Sequence, residues 1–170
     1  MLALTLVACG DSEEMSADEE ETNTTEIQKS ENNNEEEESD VSDTYFDNGE
    51  YEYKIKEVEQ IDGEYDTEVL AIELEFTNNT DEPISPWMSL GITAEQETED
   101  TVESLDGSNG LYPEDYKPDL VKMGDSDIKP GKTVDAVIGF EIEFPGEPVI
   151  LKDFGMDEGE LFEKVVETEE

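Results

Sequence analysis

Histidine and arginine are absent from this 170-residue chain, and cysteine occurs once, at Cys9. Without histidine there is no residue of the type that most often serves as general base, and none of the commonest metal-ligating type. Ser-His-Asp and Cys-His catalysis are therefore excluded, and one thiol cannot assemble a zinc site of the usual composition. Without arginine there is no bidentate clamp for phosphate or carboxylate. A lone cysteine makes no internal disulfide. Apolar residues are also scarce: 34% of the chain is hydrophobic, against about 45–50% in ordinary globular proteins. Part of the chain is thus expected to lie outside any packed core.

What the chain has in excess is negative charge. Fifty-one Asp and Glu oppose nine Lys, for a net charge of -42. Such a surface repels nucleic acid and other polyanions. It favours cations, basic partners, or a salty or alkaline medium that screens self-repulsion.

Cys9 ends a short apolar run, Met1 to Ala8, and Gly10-Asp11-Ser12 follows it. Leu6-Val7-Ala8-Cys9 resembles the lipobox, the cleavage and lipidation signal of bacterial lipoproteins. The resemblance implies that Cys9 becomes the mature N-terminus and carries a diacylglyceryl thioether. Two acyl chains suit stable anchoring, because each buried methylene contributes about 0.8 kcal/mol and one chain alone binds marginally. The expected location is the extracellular face of a bacterial cell membrane. Residues 1–8 have no Lys or Arg and are shorter than a signal peptide of 15–30 residues with a basic start. They are read as a truncated signal peptide. No other run approaches the ~20 apolar residues of a membrane span.

Residues 9–45 form an acidic linker, with fifteen Asp and Glu against Lys29 alone. Such a segment cannot bury enough surface to offset its ordering entropy, so it is expected to be disordered. As a flexible tether it would span about 30–36 Å, and more through self-repulsion. Glu35-Glu36-Glu37-Glu38 with Asp40 could hold cations or a basic partner, but like-charge blocks are commonly solvated tails. Asn23-Thr24-Thr25 and Asn78-Asn79-Thr80 match the glycosylation acceptor pattern without meaning for a bacterial lipoprotein.

From Phe46 apolar and charged residues alternate at strand period. Tyr51, Tyr53 and Ile55 oppose Glu52, Lys54 and Lys56; Val69 to Phe76 reads as a central strand whose second face is partly covered at Val69 and Ala71. It stops at the turn formers Asn78 to Pro83. A third strand is expected over Trp87 to Thr93, a strong one through Val134, Ala136, Ile138, Phe140, Ile142 and Phe144, and another over Val149 to Phe154. Pro130-Gly131 and Pro145-Gly146 predict type II turns. Val102 to Leu105 and Leu120 to Met123 are short strand candidates separated by a long loop. In the acidic tail, 158–170, Leu161, Phe162, Val165 and Val166 are spaced for one face of a short helix. The expectation is all-β: an immunoglobulin-like antiparallel β-sandwich over 46–157, without the inter-sheet disulfide and with Trp87 available for the core centre.

LAIELEFTNNTDEPISP, followed some fifty residues later by DIKPGKTVDAVIGFEIEF, resembles the Gram-positive lipoprotein domain of unknown function 5067. That resemblance implies an immunoglobulin-like fold and a surface location, and carries no activity or site.

Asp106 and Asn109 in one loop, and Asp125 and Asp127 in another, offer the oxygen donors calcium prefers, but only fragments of its coordination pattern. The same residue types are what turns need. Tyr112, Tyr116 and Trp87, with Pro113 and Pro118, could present a patch to a glycan or peptide, although packing explains them equally. The expectation is a non-catalytic interaction module with no cofactor, calcium being the exception to test. It is anchored to the membrane through lipid and offered to a cell-wall or protein partner. The alternatives are an exported enzyme acting on glycans through paired carboxylates and a calcium-dependent wall protein.

Overall fold

A computed structural model describes residues 42–154 and 161–170. Among these residues eight strands and one short α-helix occur in the order β1 (Tyr45–Asp47), β2 (Tyr51–Asp62), β3 (Glu68–Asn78), β4 (Ile92–Glu97), β5 (Val102–Ser104), α1 (Pro118–Gly124), β6 (Lys132–Glu141), β7 (Val149–Asp153) and β8 (Glu163–Val166), with a single 3-10 turn at Glu64–Asp66. They form two antiparallel four-stranded sheets, ordered β1-β2-β3-β6 and β5-β4-β7-β8. The chain crosses between sheets from β3 to β4, from β5 to β6 and from β6 to β7. This is the immunoglobulin-like sandwich that the alternation predicts.

The core follows from strand periodicity. Leu70, Ile72, Leu74 and Phe76 of β3 and Ala136, Ile138 and Phe140 of β6 point inward against Ile92 and Ala94 of β4 and Val149 and Leu151 of β7. Fully burying each of the larger side chains contributes about 1.5–3 kcal/mol. At one edge Phe46 stacks on Tyr53 at 4.6 Å and lies 5.3 Å from Phe162. Both Pro-Gly turns form: Gly131 and Gly146 have positive φ, and the N–H groups of Lys132 and Glu147 close the turns onto the carbonyls of Lys129 and Phe144.

A register shift between Ile55 and Glu57 makes Lys56 the extra residue of a bulge in β2. Before it the odd residues Tyr53 and Ile55 face the core; after it Val58 does, and Glu57, Glu59 and Ile61 turn to the outer face. A one-residue insertion reverses the parity of everything beyond it. The simple alternation expected through Lys56 ends there.

Several expectations need correction. Leu120 to Met123 is helical, not a strand, because Pro118 occupies the first turn, where its fixed φ starts a helix. The strand expected over Trp87 to Thr93 begins only at Ile92. The segment before it is a turn in which the Ser85 carbonyl accepts from Ser89 N–H and the Trp87 carbonyl from Leu90 N–H. Trp87 is half-buried at the margin of the core rather than at its centre; its ring meets Phe140 edge-on at 5.7 Å. The tail is a strand: Phe162 is fully buried, and Val149, Ile150, Leu151 and Lys152 pair with Val166, Val165, Lys164 and Glu163. β-branched Val165 and Val166 suit it. The sandwich thus uses residues on both sides of 46–157, with Ser42 bridging to Phe162. Leu6, Val7, Ala8, Cys9, the acidic run to Val41 and residues 155–160 lie outside the described residues.

Two buried amides fasten the ends of the sandwich. Asn78 donates from Nδ2 to the carbonyls of Glu82 and Ile128, both at 2.8 Å, and accepts at Oδ1 from Thr80 N–H and Thr80 Oγ1. Gln96 donates from Nε2 to the carbonyls of Phe144 (3.0 Å) and Glu147 (2.8 Å) and accepts at Oε1 from the N–H groups of Glu143 (3.1 Å) and Phe144 (3.0 Å). Each uses two donors and two acceptances, the full capacity of an amide's polar atoms. Asn78 is thereby a structural turn residue.

Candidate functional site

The outer face of the first sheet is covered by the excursion between β5 and β6. Val69, Ala71 and Val137 are buried there beneath Leu111, Tyr112, Tyr116, Leu120 and Val121. Tyr112 and Tyr116 stack at 5.9 Å with planes 6° apart. Trp87 belongs to the main core on the other side of the sheet. The three aromatics therefore do not form one patch, and packing accounts for them. Gly139 lets the excursion sit close: a Cβ there would lie 2.5 Å from the Leu70 carbonyl and 2.6 Å from the Tyr112 hydroxyl. The Ser108 and Tyr112 hydroxyls are buried at this point without a hydrogen-bond partner of good geometry.

Lys117 closes the excursion. Its Nζ lies 2.9 Å from Glu57, 2.9 Å from Glu59 and 3.0 Å from Glu73, and Tyr116 donates its hydroxyl to Glu59 at 2.7 Å. The bulge at Lys56 brings Glu57 and Glu59 to this face, and Glu73 pairs with Glu57 across the strands. Hydrogen bonds from Lys117 and then Tyr116 hold the Glu59 carboxyl below its ordinary range, burial opposing them. Lys117 is pushed up in turn by Glu57 and Glu59. Burial, then Glu59, raises the Tyr116 phenol. Lys117 itself is left-handed, with φ 35° and ψ 51°. The following Pro118 disfavours the right-handed helical region for it, and a non-glycine residue in the left-handed region costs about 1–2 kcal/mol. The chemistry of this cluster is that of a clamp. Its one cation is shared by three carboxylates, and a lowered Glu59 is the reverse of the raised pKa that a general acid needs.

Of the four residues considered for calcium, the structure joins two: Asn109 donates from Nδ2 to Asp125 at 2.7 Å. Asp106 and Asp127 are exposed, and the Asp106 carbonyl accepts from Glu141 N–H. Among the described residues no group of three or more Asp, Glu, His or Cys is placed to hold a metal ion. An open cleft of about 570 Å³ near the β2–β3 end is lined by Asp62, Glu68, Glu167, Glu169 and Glu170 with Gln60 and Ile61. No lysine lines it.

The other end of the sandwich, where β1 meets β2, β3 leads to β4 and β7 leads to β8, was not singled out by sequence reasoning. Met88, Leu90 and Phe154 expose 62%, 51% and 52% of their surface. The two loops touch, Phe154 N–H donating to the Gly91 carbonyl at 3.0 Å. The signal was present in Trp87-Met88-Ser89-Leu90-Gly91, which alternates like a strand and so hid two outward apolar residues in an expected element. Among the described residues no helix is long and apolar enough to cross a membrane.

The sandwich is similar to the structure of a candidate lipoprotein from Staphylococcus aureus subsp. aureus NCTC 8325, at 23% identity and a TM-score of 0.62 over 75% of this chain and 90% of that one. It is also similar to a protein from Enterococcus faecalis, at 14% identity and a TM-score of 0.57 over 74% and 94%. Both likenesses are of fold. No match is found among curated proteins. Residues 14–152 match the family described as Domain of unknown function (DUF5067), and the chain belongs to that family.

Proposed function

We propose that the protein is a lipid-anchored component of the outer face of a bacterial cell membrane, its sandwich serving as a non-catalytic interaction module. Cys9 carries the anchor, and the acidic run spaces the module from the membrane. The observation that carries this reading is the order of parts. The only thiol ends a short apolar run at Leu6-Val7-Ala8-Cys9, fifteen acidic residues follow, and only then does alternation at strand period begin. The likeness of fold to a candidate lipoprotein supports it. Support for a module without catalysis comes from the Lys117 cluster, whose charges are spent on holding the excursion in place.

The test is the mass of the native amino-terminal peptide, together with detergent partitioning of the intact protein. Diacylglyceryl mass on Cys9 is expected, with a Cys9→Ser variant appearing in the medium. A free Cys9 thiol in the native product, or recovery of the native product from the cytosol, would end the proposal.

A further inference from the structure

From the loop end of the sandwich we infer a docking surface for a cationic polypeptide segment that carries apolar side chains, with Met88, Leu90 and Phe154 as its apolar contact. This rests on the interaction-module reading and names the class of partner. Three observations converge. Three of the seven large apolar side chains exposed among the described residues lie in two loops joined by the Phe154 to Gly91 backbone bond, whereas the outer face of the first sheet is covered by its own chain. Leu90 is held at φ 49°, a left-handed conformation unfavourable for a bulky residue. Glycine or asparagine would relieve it, so an exposed leucine there is retained against local stability. Such outliers gather at binding sites.

The charge at this end of the sandwich, acidic on balance although Lys129 and Lys132 are also exposed there, favours one class of occupant. Glu50, Asp81 and Glu82 are exposed on the loops at this end, and none forms an ion pair among the described residues. The chain as a whole carries -42. A second copy would bring the same charge to the contact, and an anionic lipid surface or wall polymer would be repelled. A basic segment is attracted at long range, and its apolar side chains find the desolvatable centre that binding energy requires.

The test uses the full chain and two synthetic peptides of equal charge, one oligolysine and one alternating lysine with leucine. Binding is read in about 0.15 M NaCl by amide chemical shifts and by fluorescence of Trp87, the only tryptophan. The lysine-leucine peptide should bind at least tenfold more tightly, with shifts centred on residues 88–91 and Phe154. Leu90→Gly should lose most of that preference while its melting temperature rises by about 2–5 °C. Phe154→Ser should lose the preference too, with oligolysine binding unchanged. Equal affinity for the two peptides, or an unaltered preference in both variants, overturns the proposal. So would dimerisation, or binding to phosphatidylglycerol or phosphatidylcholine vesicles in the oligolysine-free buffer, if either depended on Leu90. Lipidation of Cys9 plays no part in these measurements, so failure here leaves the anchoring test intact.

Discussion

Replacing Gln96 by leucine keeps side-chain volume nearly constant and removes a single amide, yet four backbone groups depend on that amide. The carbonyls of Phe144 and Glu147 and the N–H groups of Glu143 and Phe144 all lose a partner. An unsatisfied buried polar group costs about 1–3 kcal/mol, so the gross loss is about 4–12 kcal/mol. Water reaches part of the β6–β7 turn, and leucine gains about 2 kcal/mol of apolar burial at a fully buried position. The net expectation is about 3–5 kcal/mol. Urea unfolding followed by Trp87 fluorescence measures it, since the tryptophan packs on Phe140 of the opposite sheet from the mutated site. Hydrogen exchange separates local from global effects: the amides of Glu143 and Phe144 should lose protection before those of β3. A loss below about 1 kcal/mol, with those two amides still protected, would refute the reasoning that this side chain holds the turn.

Lys117→Met leaves Glu57, Glu59 and Glu73 facing one another, and should cost about 1–3 kcal/mol at neutral pH, as three partly exposed pairs of modest worth suggest. Because the folded Glu59 carboxyl is held below 4.5, its contribution is complete above that value and fades as pH falls through the folded pKa. Wild type and variant should therefore converge in stability in acid, and a constant difference from pH 7 to pH 2 would contradict the cluster's role. The raised Lys117 works in the opposite sense, its contribution persisting until strongly alkaline pH. Millimolar calcium should shift the melting transition no further than an ionic-strength-matched sodium control, given that no metal-holding group occurs among the described residues; a calcium-specific rise of several degrees, lost in Asp125→Asn, would restore the calcium site.

Alternation made most of the sandwich legible. β2, β3, β6 and β7 each turn one apolar face to the core, β3 and β6 being partly covered on the other as well at Val69, Ala71 and Val137, and a period of two marks such faces plainly. The Pro-Gly turns were legible because Gly131 and Gly146 need positive φ. The failures share a cause: short apolar groups fit more than one period. Leu120-Val121-Lys122-Met123 suits a strand until Pro118 is given its weight as a helix start. Leu161, Phe162, Val165 and Val166 suit a helix, but Phe162 is buried and Val166 packs on the core while Val165 is exposed, the alternation of a strand. The Lys117 cluster was illegible because it depends on the bulge at Lys56, which no composition announces. The loop-end patch was hidden by an expected strand that Pro83 and Pro86 displace to Ile92.

The bridge between Ser42 and Phe162 joins positions 120 residues apart, and Phe162 is buried beside Phe46. A chain still emerging from a ribosome or a translocation pore has no last strand to close this seam. Its aromatic edge stays open until Phe162 has emerged, and pairings this distant in sequence are slow to form. The topology thus delays completion of the sandwich until β8 has followed the other strands out, a timing that keeps the preceding polypeptide threadable.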